Sequence, residues 1–282
     1  MKRVHSVFML VTLIIMIFIS ACGSSKPTDK VFEDFDPNNF DNSSNIDNKW
    51  FPLKPGTQLV FDGNTTTDAG EQVSHRVIIT VTDLTKEIGG VRSVVTWDLD
   101  YSADQLVEAE LAFFAQDNDG NVWRMGEYPE EYEDGKFVLA PTWIHGLDDA
   151  LAGIAMQTNP QLNTSDYPQG WGPAVDWTDR GKVDQMGLQT CVPFNCFEDV
   201  MVIAETSATE KGAFQLKYFA PGLGNIRVDW KGTDQTQETL ELVEYNQLSP
   251  EEMDEVRAKA FEMEKHAYEV SPDVYGQTSP LE

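Results

Sequence analysis

Five carboxylates crowd into eight residues at Glu127, Glu130, Glu131, Glu133 and Asp134. Paired carboxylates carry out acid and base steps in glycoside hydrolysis when opposed environments split their pKa values. On a strongly acidic chain, a solvated surface produces the same crowding. Just upstream, Asp117-Asn118-Asp119-Gly120-Asn121 alternates oxygen donors in a way that suits a hard cation such as calcium. An EF-hand loop puts Gly sixth and Glu twelfth, whereas here Gly120 is fourth and Tyr128 twelfth. A hairpin turn with positive φ at Asp119-Gly120 explains the same letters. Asp117, Asp119 and Asn121 are therefore weak metal candidates, and no other cofactor is implied.

Cys191 and Cys196 flank a Pro-containing loop and lack the Cys-x-x-Cys spacing of redox centres. In an oxidising compartment they are expected to form a small-loop disulfide, with free thiols as the alternative. A zinc site would need two more ligands, and beyond the N-terminal segment only His75, His145 and His266 are available. His145 lies near Asp148 and Asp149, but no Gly-x-Ser-x-Gly supplies a hydrolase nucleophile. No catalytic residue can be named. The stretch 128–179 reads as a long irregular loop rich in Pro and aromatics, and loops of that length usually carry function. Tyr128, Tyr132, Trp143, His145, Tyr167 and Trp171, with Trp177 nearby, are its candidate ligand-binding residues. Such aromatics stack on sugars or line an apolar pocket; they serve equally as a folded plug.

The elements that must position these residues begin with an address. Met1-Lys2-Arg3 is basic, Val7 to Ile19 is apolar, and Ser20-Ala21-Cys22-Gly23 follows. The apolar run is too short to span about 30 Å of hydrocarbon as a helix but suits a signal peptide. The sequence around Cys22 resembles a bacterial lipobox, which implies removal of residues 1–21, acylation of Cys22 and attachment to a lipid bilayer. Gly23, rather than Asp, favours the outer membrane if the cell is Gram-negative. Residues 22–49 are polar and rich in Asn and Asp, and read as a flexible acidic tether.

The chain holds 47 acids and 20 bases, a formal charge of −27. That excess excludes a nucleic-acid binder relying on Lys and Arg. From Trp50 onward the hydrophobic period is two. Val95, Trp97, Leu99 and Tyr101 alternate with Thr96, Asp98 and Asp100, and Leu111, Phe113 and Ala115 with Glu108 and Glu110. Each run reads as a strand with one dry and one wet face. Short connections make neighbours antiparallel, so residues 50–247 are expected to be an all-β barrel, half-barrel or sandwich. Ser249-Pro250-Glu251-Glu252 carries a capping box and starts one C-terminal helix over 248–269, with an apolar stripe of Met253, Val256, Ala260, Met263 and Ala267. Residues 270–282 read as a frayed tail.

Phe51-Pro52-Leu53-Lys54-Pro55-Gly56, Asp117-Asn118-Asp119-Gly120-Asn121-Val122-Trp123, Ala140-Pro141-Thr142-Trp143 and Tyr218-Phe219-Ala220-Pro221-Gly222-Leu223-Gly224 together resemble a family of uncharacterised bacterial secreted proteins and lipoproteins. The resemblance implies an antiparallel β body and no established activity. The expected function is that of a lipid-anchored binding or structural protein of the cell envelope, meeting an envelope protein, a glycan or an apolar ligand. The alternatives are a glycan hydrolase using the carboxylates of 127–134 and a carrier of an apolar ligand inside a half-barrel.

Overall fold

Alternation of branched and aromatic residues, broken by residues that tolerate positive φ, produces fifteen strands. The computed structural model describes residues 30–67 and 69–282; Cys22 and the residues that read as a signal peptide lie outside them. The strands are β1 (Thr57–Thr66), β2 (Gln72–Ile88), β3 (Val91–Ser102), β4 (Gln105–Gln116), β5 (Val122–Glu133), β6 (Lys136–Leu139), β7 (Trp143–Ile144), β8 (Leu151–Met156), β9 (Tyr167–Pro168), β10 (Gly170–Trp171), β11 (Arg180–Cys191), β12 (Cys196–Thr206), β13 (Ala213–Ala220), β14 (Gly224–Gly232) and β15 (Thr239–Gln247). One helix, α1 (Pro250–Val270), follows. Gly89-Gly90, Ala103-Asp104 and Asp134-Gly135 all have positive φ, the geometry that two-residue hairpin turns require.

Every pairing is antiparallel, in the order β10-β8-β5-β4-β3-β2-β1-β15-β14-β13-β12-β11-β9. The ends of that order are adjacent in sequence: β9 pairs with β11 and β10 with β8, so residues 167–171 bridge the two margins. Of the architectures left open by the sequence, the protein adopts a nearly closed barrel. Stretch 128–179 is not the irregular loop expected from its composition, since it holds the end of β5 and all of β6 to β10. Pro and Gly there mark strands only two residues long, whose period is too short to read.

The register shows which face is the lumen. Leu59, Ile79, Asp98 and Glu110 lie side by side across β1 to β4, and Leu240, Val228, Lys217 and Ile203 across β15 to β12. The wet faces of β3 and β4 therefore point inward, and the dry faces outward. Val95, Leu111, Phe113, Met125 and Tyr128 form an outer core with Ala260, Met263 and Ala267 of α1. The helix starts as its capping box dictates: Ser249 Oγ accepts from the Glu252 amide, and Glu252 Oε2 from the Ser249 amide at 2.7 Å. The tail is not frayed. Tyr275 is fully buried, Leu281 is buried, and the Glu282 backbone bridges to Thr85 of β2. Fully buried Lys86 ties this assembly down, reaching Glu264 at 3.2 Å and the Ser279 carbonyl at 2.6 Å.

Nor is the described part of 22–49 a free tether. Phe35 and Phe40 pack edge-on against Trp123, and Ile46 is buried beside Trp50. Asn48 Nδ2 donates to the Gly120 carbonyl at 2.8 Å, while Gln116 Oε1 accepts from the Asp47 and Asn48 amides. The Asn and Asp residues that read as solvated spacer are hydrogen-bonding turn residues, and they offset the ordering entropy that few apolar anchors alone could not. Among the described residues, no helix is long and apolar enough to cross a membrane.

Candidate functional site

One side of the lumen is closely packed. Leu59, Phe61, Ile226, Val228, Leu240 and Leu242 fill it, and at one end Trp50, Val81, Phe114, Met156, Met201 and Phe219 form a second apolar cluster. The other side encloses a cavity of about 350 Å³ between β4 and β5 on one wall and β12 and β13 on the opposite wall. Glu108, Glu110, Glu127, Glu131, Asp179 and Glu205 line it with two cations, Arg124 and Lys217.

Both cations are already engaged. Arg124 pairs with Glu127, and Lys217 Nζ lies 2.6 Å from Glu205. Strand pairing crowds the remaining acids: Asp98 sits opposite Glu110, Asp100 opposite Glu108, and Glu108 opposite Glu131. His75 Nε2 lies 2.7 Å from Asp100, and its Nδ1 lies 3.2 Å from Glu238. Burial and then the Glu110 charge push the Asp98 carboxyl well up; Asp98 Oδ1 and Glu110 Oε1 have no hydrogen-bond partner. Burial likewise pushes Glu108 up to about 8, with Glu110, Asp100 and Glu131 adding to it. Asp179 rises to about 6 through burial and the Glu205 charge. At neutral pH Glu108 therefore holds a proton, burial being the main cause.

The rim is built by the short strands. Gly170, at φ 159°, passes close to the indoles of Trp143 and Trp177, and a Cβ there would lie 2.7 Å from each. These rings stack with centroids 4.8 Å apart, and Trp143 Nε1 donates to Glu127 Oε2 at 3.0 Å. A closed loop, with Pro173 opening a single 3-10 turn and the Gly172 amide donating to the Trp177 carbonyl, presents Trp177 to the cavity. The Arg124 guanidinium lies over that ring. Gln169, 5% exposed, donates from Nε2 to Glu205 at 2.7 Å, while its Oε1 has no partner.

Pleating separates the residues expected to act together. Glu127 and Glu131 line the lumen, whereas Glu130 points to the outer face, accepting from the Tyr128 hydroxyl at 2.6 Å, from Tyr132, and facing His266 Nδ1 at 2.8 Å. Glu133 and Asp134 end the strand in an exposed turn. The five carboxylates of 127–134 therefore divide between the lumen, the outer face and an exposed turn. The six aromatic and His candidates are dispersed too. Tyr128 is outer core, Tyr132 borders a groove beside α1, and Trp171 packs under Phe32. His145 lies 4.2 Å from the Phe35 ring, accepts the Ala152 amide at Nδ1, and is pushed down by burial. Only Trp143 and Tyr167 stay with the lumen; the buried Tyr167 hydroxyl has no partner and is raised by burial and Glu205.

Asp117 is the acceptor of a turn. It takes the Asn121 amide at 2.8 Å, Asn121 Nδ2 at 3.0 Å and Trp123 Nε1 at 2.8 Å, and Asp119 accepts from Asn39. Both Asp117 carboxylate oxygens are thus engaged by donors of the turn itself. Cys191 and Cys196 face each other at the end of β11 and β12 and form a disulfide. A lumen walled by carboxylates does not suit the apolar ligand expected of a carrier, which would leave those groups unsolvated.

Arg124, Gln169, Asp179, Glu205 and Lys217 belong to no motif in the sequence, and the alternation makes Glu108 and Glu110 read as a wet outer face. The available signal was the β3–β4 hairpin itself, whose tight turn sets like charges opposite one another, a costly arrangement unless it serves a site.

Fold and lumen together define a nearly closed antiparallel barrel with an acid-lined internal cavity. No protein-family profile matches this chain, nor does any curated protein. Among solved structures it is similar to a Bacteroides fragilis protein described as exported with a YmcC-like fold, 14% identical, covering 70% of this chain and 98% of that one at a TM-score of 0.36. It is similar also to a Parabacteroides distasonis protein described as a lipoprotein, 12% identical, covering 70% and 97%, TM-score 0.35.

Proposed function

We propose that this protein is an exported, lipid-anchored binding protein of the bacterial envelope that takes a small polar ligand into its barrel. The cavity carries the reading: a barrel built only as a scaffold gains nothing by keeping about 350 Å³ of carboxylate-lined space beside a closely packed apolar half. The lipobox at Cys22 supports the anchor.

Two measurements test it. Radiolabelled palmitate is expected to enter the wild-type chain and not Cys22→Ala. Native mass spectrometry of the full-length protein, released from its own membranes in detergent, is expected to show a small bound molecule. Val175→Trp, which fills the cavity mouth, is expected to lose that molecule while keeping the wild-type circular dichroism. Equal ligand mass in both proteins, or none in either, would overturn the binding reading.

A further inference from the structure

Resting on that reading, we infer that the ligand is an organic polycation, a linear aliphatic amine with two or more ammonium groups, held by Glu108, Glu110, Glu131 and Asp179 and by the Gln169 carbonyl oxygen. Charge is the first argument. With Arg124 and Lys217 paired to Glu127 and Glu205, four lining carboxyls are left without a cation. An anionic ligand would meet only repulsion there, and a neutral one would leave the repulsion in place.

The second argument is independent of the acids. Gln169 is buried, lines the cavity, and has an amide oxygen with no donor. Its own nitrogen is committed to Glu205, so the oxygen is oriented and awaits an N–H from the ligand.

Spacing favours an extended amine over a metal ion. Glu108 and Glu110 project from one face of β4 at alternate positions, about 7 Å apart along the strand, near the span of a three- or four-carbon diamine. Among the described residues no three His, Cys, Asp or Glu side chains converge as a metal site. Trp177, Val175, Pro129 and Pro141 supply an apolar wall for methylenes. The Trp177 face already holds the Arg124 guanidinium, as expected of a ring suited to cations. Raised carboxyl pKa values agree with this, because protons now take the place the ammonium groups would occupy.

The test is calorimetric titration of the full-length protein in detergent, near pH 8 and at low salt, with spermidine, putrescine, calcium chloride and 1,4-butanediol. Saturable heat is expected from spermidine, weaker heat from putrescine and none from the diol. Glu108→Gln with Glu110→Gln is expected to weaken spermidine at least about tenfold, and Trp177→Ala about two- to fivefold. Thermal melts check that the variants remain folded. No heat from spermidine, or undiminished binding by the folded double variant, would overturn the polycation inference. Calcium binding in place of spermidine would do the same. If a neutral or anionic molecule is then found bound in the native protein and excluded by Val175→Trp, the cavity reading stands and only the ligand class falls; if nothing is found, both fall.

Discussion

The two sides of the lumen are made from strands of similar length and pleat, yet they treat charge in opposite ways. Across β1, β14 and β15 the inward positions are Leu59, Phe61, Val228, Leu240 and Leu242, and outward positions such as Asp62 and Glu241 meet water. Across β3 to β5 the inward positions include Asp98, Glu108, Glu110, Glu127 and Glu131, and the outward apolar residues are sheltered by α1 and by Phe35 and Phe40. Stability thus comes from inside the barrel on one side and from outside it on the other. The added cover over β3 to β5 is what permits a charged cavity beneath.

That contrast can be broken most severely on the packed side. Phe61→Ala, at a site 1% exposed, is expected to cost about 3–5 kcal/mol in urea unfolding. On the sheltered side the equivalent damage lies outside the barrel. Glu264→Ala leaves Lys86 buried without its partner and is expected to cost about 3 kcal/mol or more, with α1 becoming open to limited proteolysis. Lys86→Met, which removes the charge as well, is expected to cost much less.

The pH profile separates the halves at smaller amplitude. Asp98, Glu108, Glu110, Asp179 and Glu238 all have raised pKa values, burial being the largest cause in each. Between the ordinary carboxylate range and about pH 8, the folded chain holds protons that the unfolded chain has released, so stability is expected to fall as pH rises through that window. Lys86 acts in the opposite sense. Burial lowers it from 10.5 to about 8, so above pH 8 the unfolded chain holds the extra proton and stability rises again. Melting followed from pH 5 to 9, below the range in which Tyr128, Tyr167 and Tyr275, raised by burial, again lower stability, should therefore pass through a minimum near pH 8 with an acidic limb at least about 1 kcal/mol deep, since one pKa unit corresponds to about 1.4 kcal/mol. Glu110→Gln is expected to flatten the acidic limb and to stabilise the protein near pH 8, where Phe61→Ala only destabilises; a steady rise from pH 5 to 8 would refute the buried-acid description. The smallest effect is expected from Cys191→Ser with Cys196→Ser, no more than about 2 kcal/mol, because the bridge closes a short loop already held by the Val192 amide to Asn195 carbonyl bond.

Much of this was legible in the residues. Period-two alternation, turn residues and the capping box are local, and they sufficed for the antiparallel strands, the apolar stripe of α1 and the Cys191–Cys196 bridge. Less of the site was legible. Asp98 and Glu110 looked like a wet face, and wet faces usually meet bulk water; here the water side is a lumen. Tyr128 and Tyr132 looked like ligand contacts because they are aromatic, but the pleat turns both toward the outer face. Residues 35–49 looked like spacer because the Asn and Asp side chains that anchor them are also those of solvated chain.

By itself the sequence determined the acidity, by composition, and the strand content, the helix and its start, because each of these rests on neighbours within a few residues. Only the tertiary structure decided which face of the sheet became the interior. Alternation specifies two faces without naming the inner one, and that choice depends on where α1, the tail and the N-terminal arm find apolar surface to cover. Near-closure through residues 167–171, and the cavity beside it, followed from contacts between residues far apart in the chain, which no local pattern records.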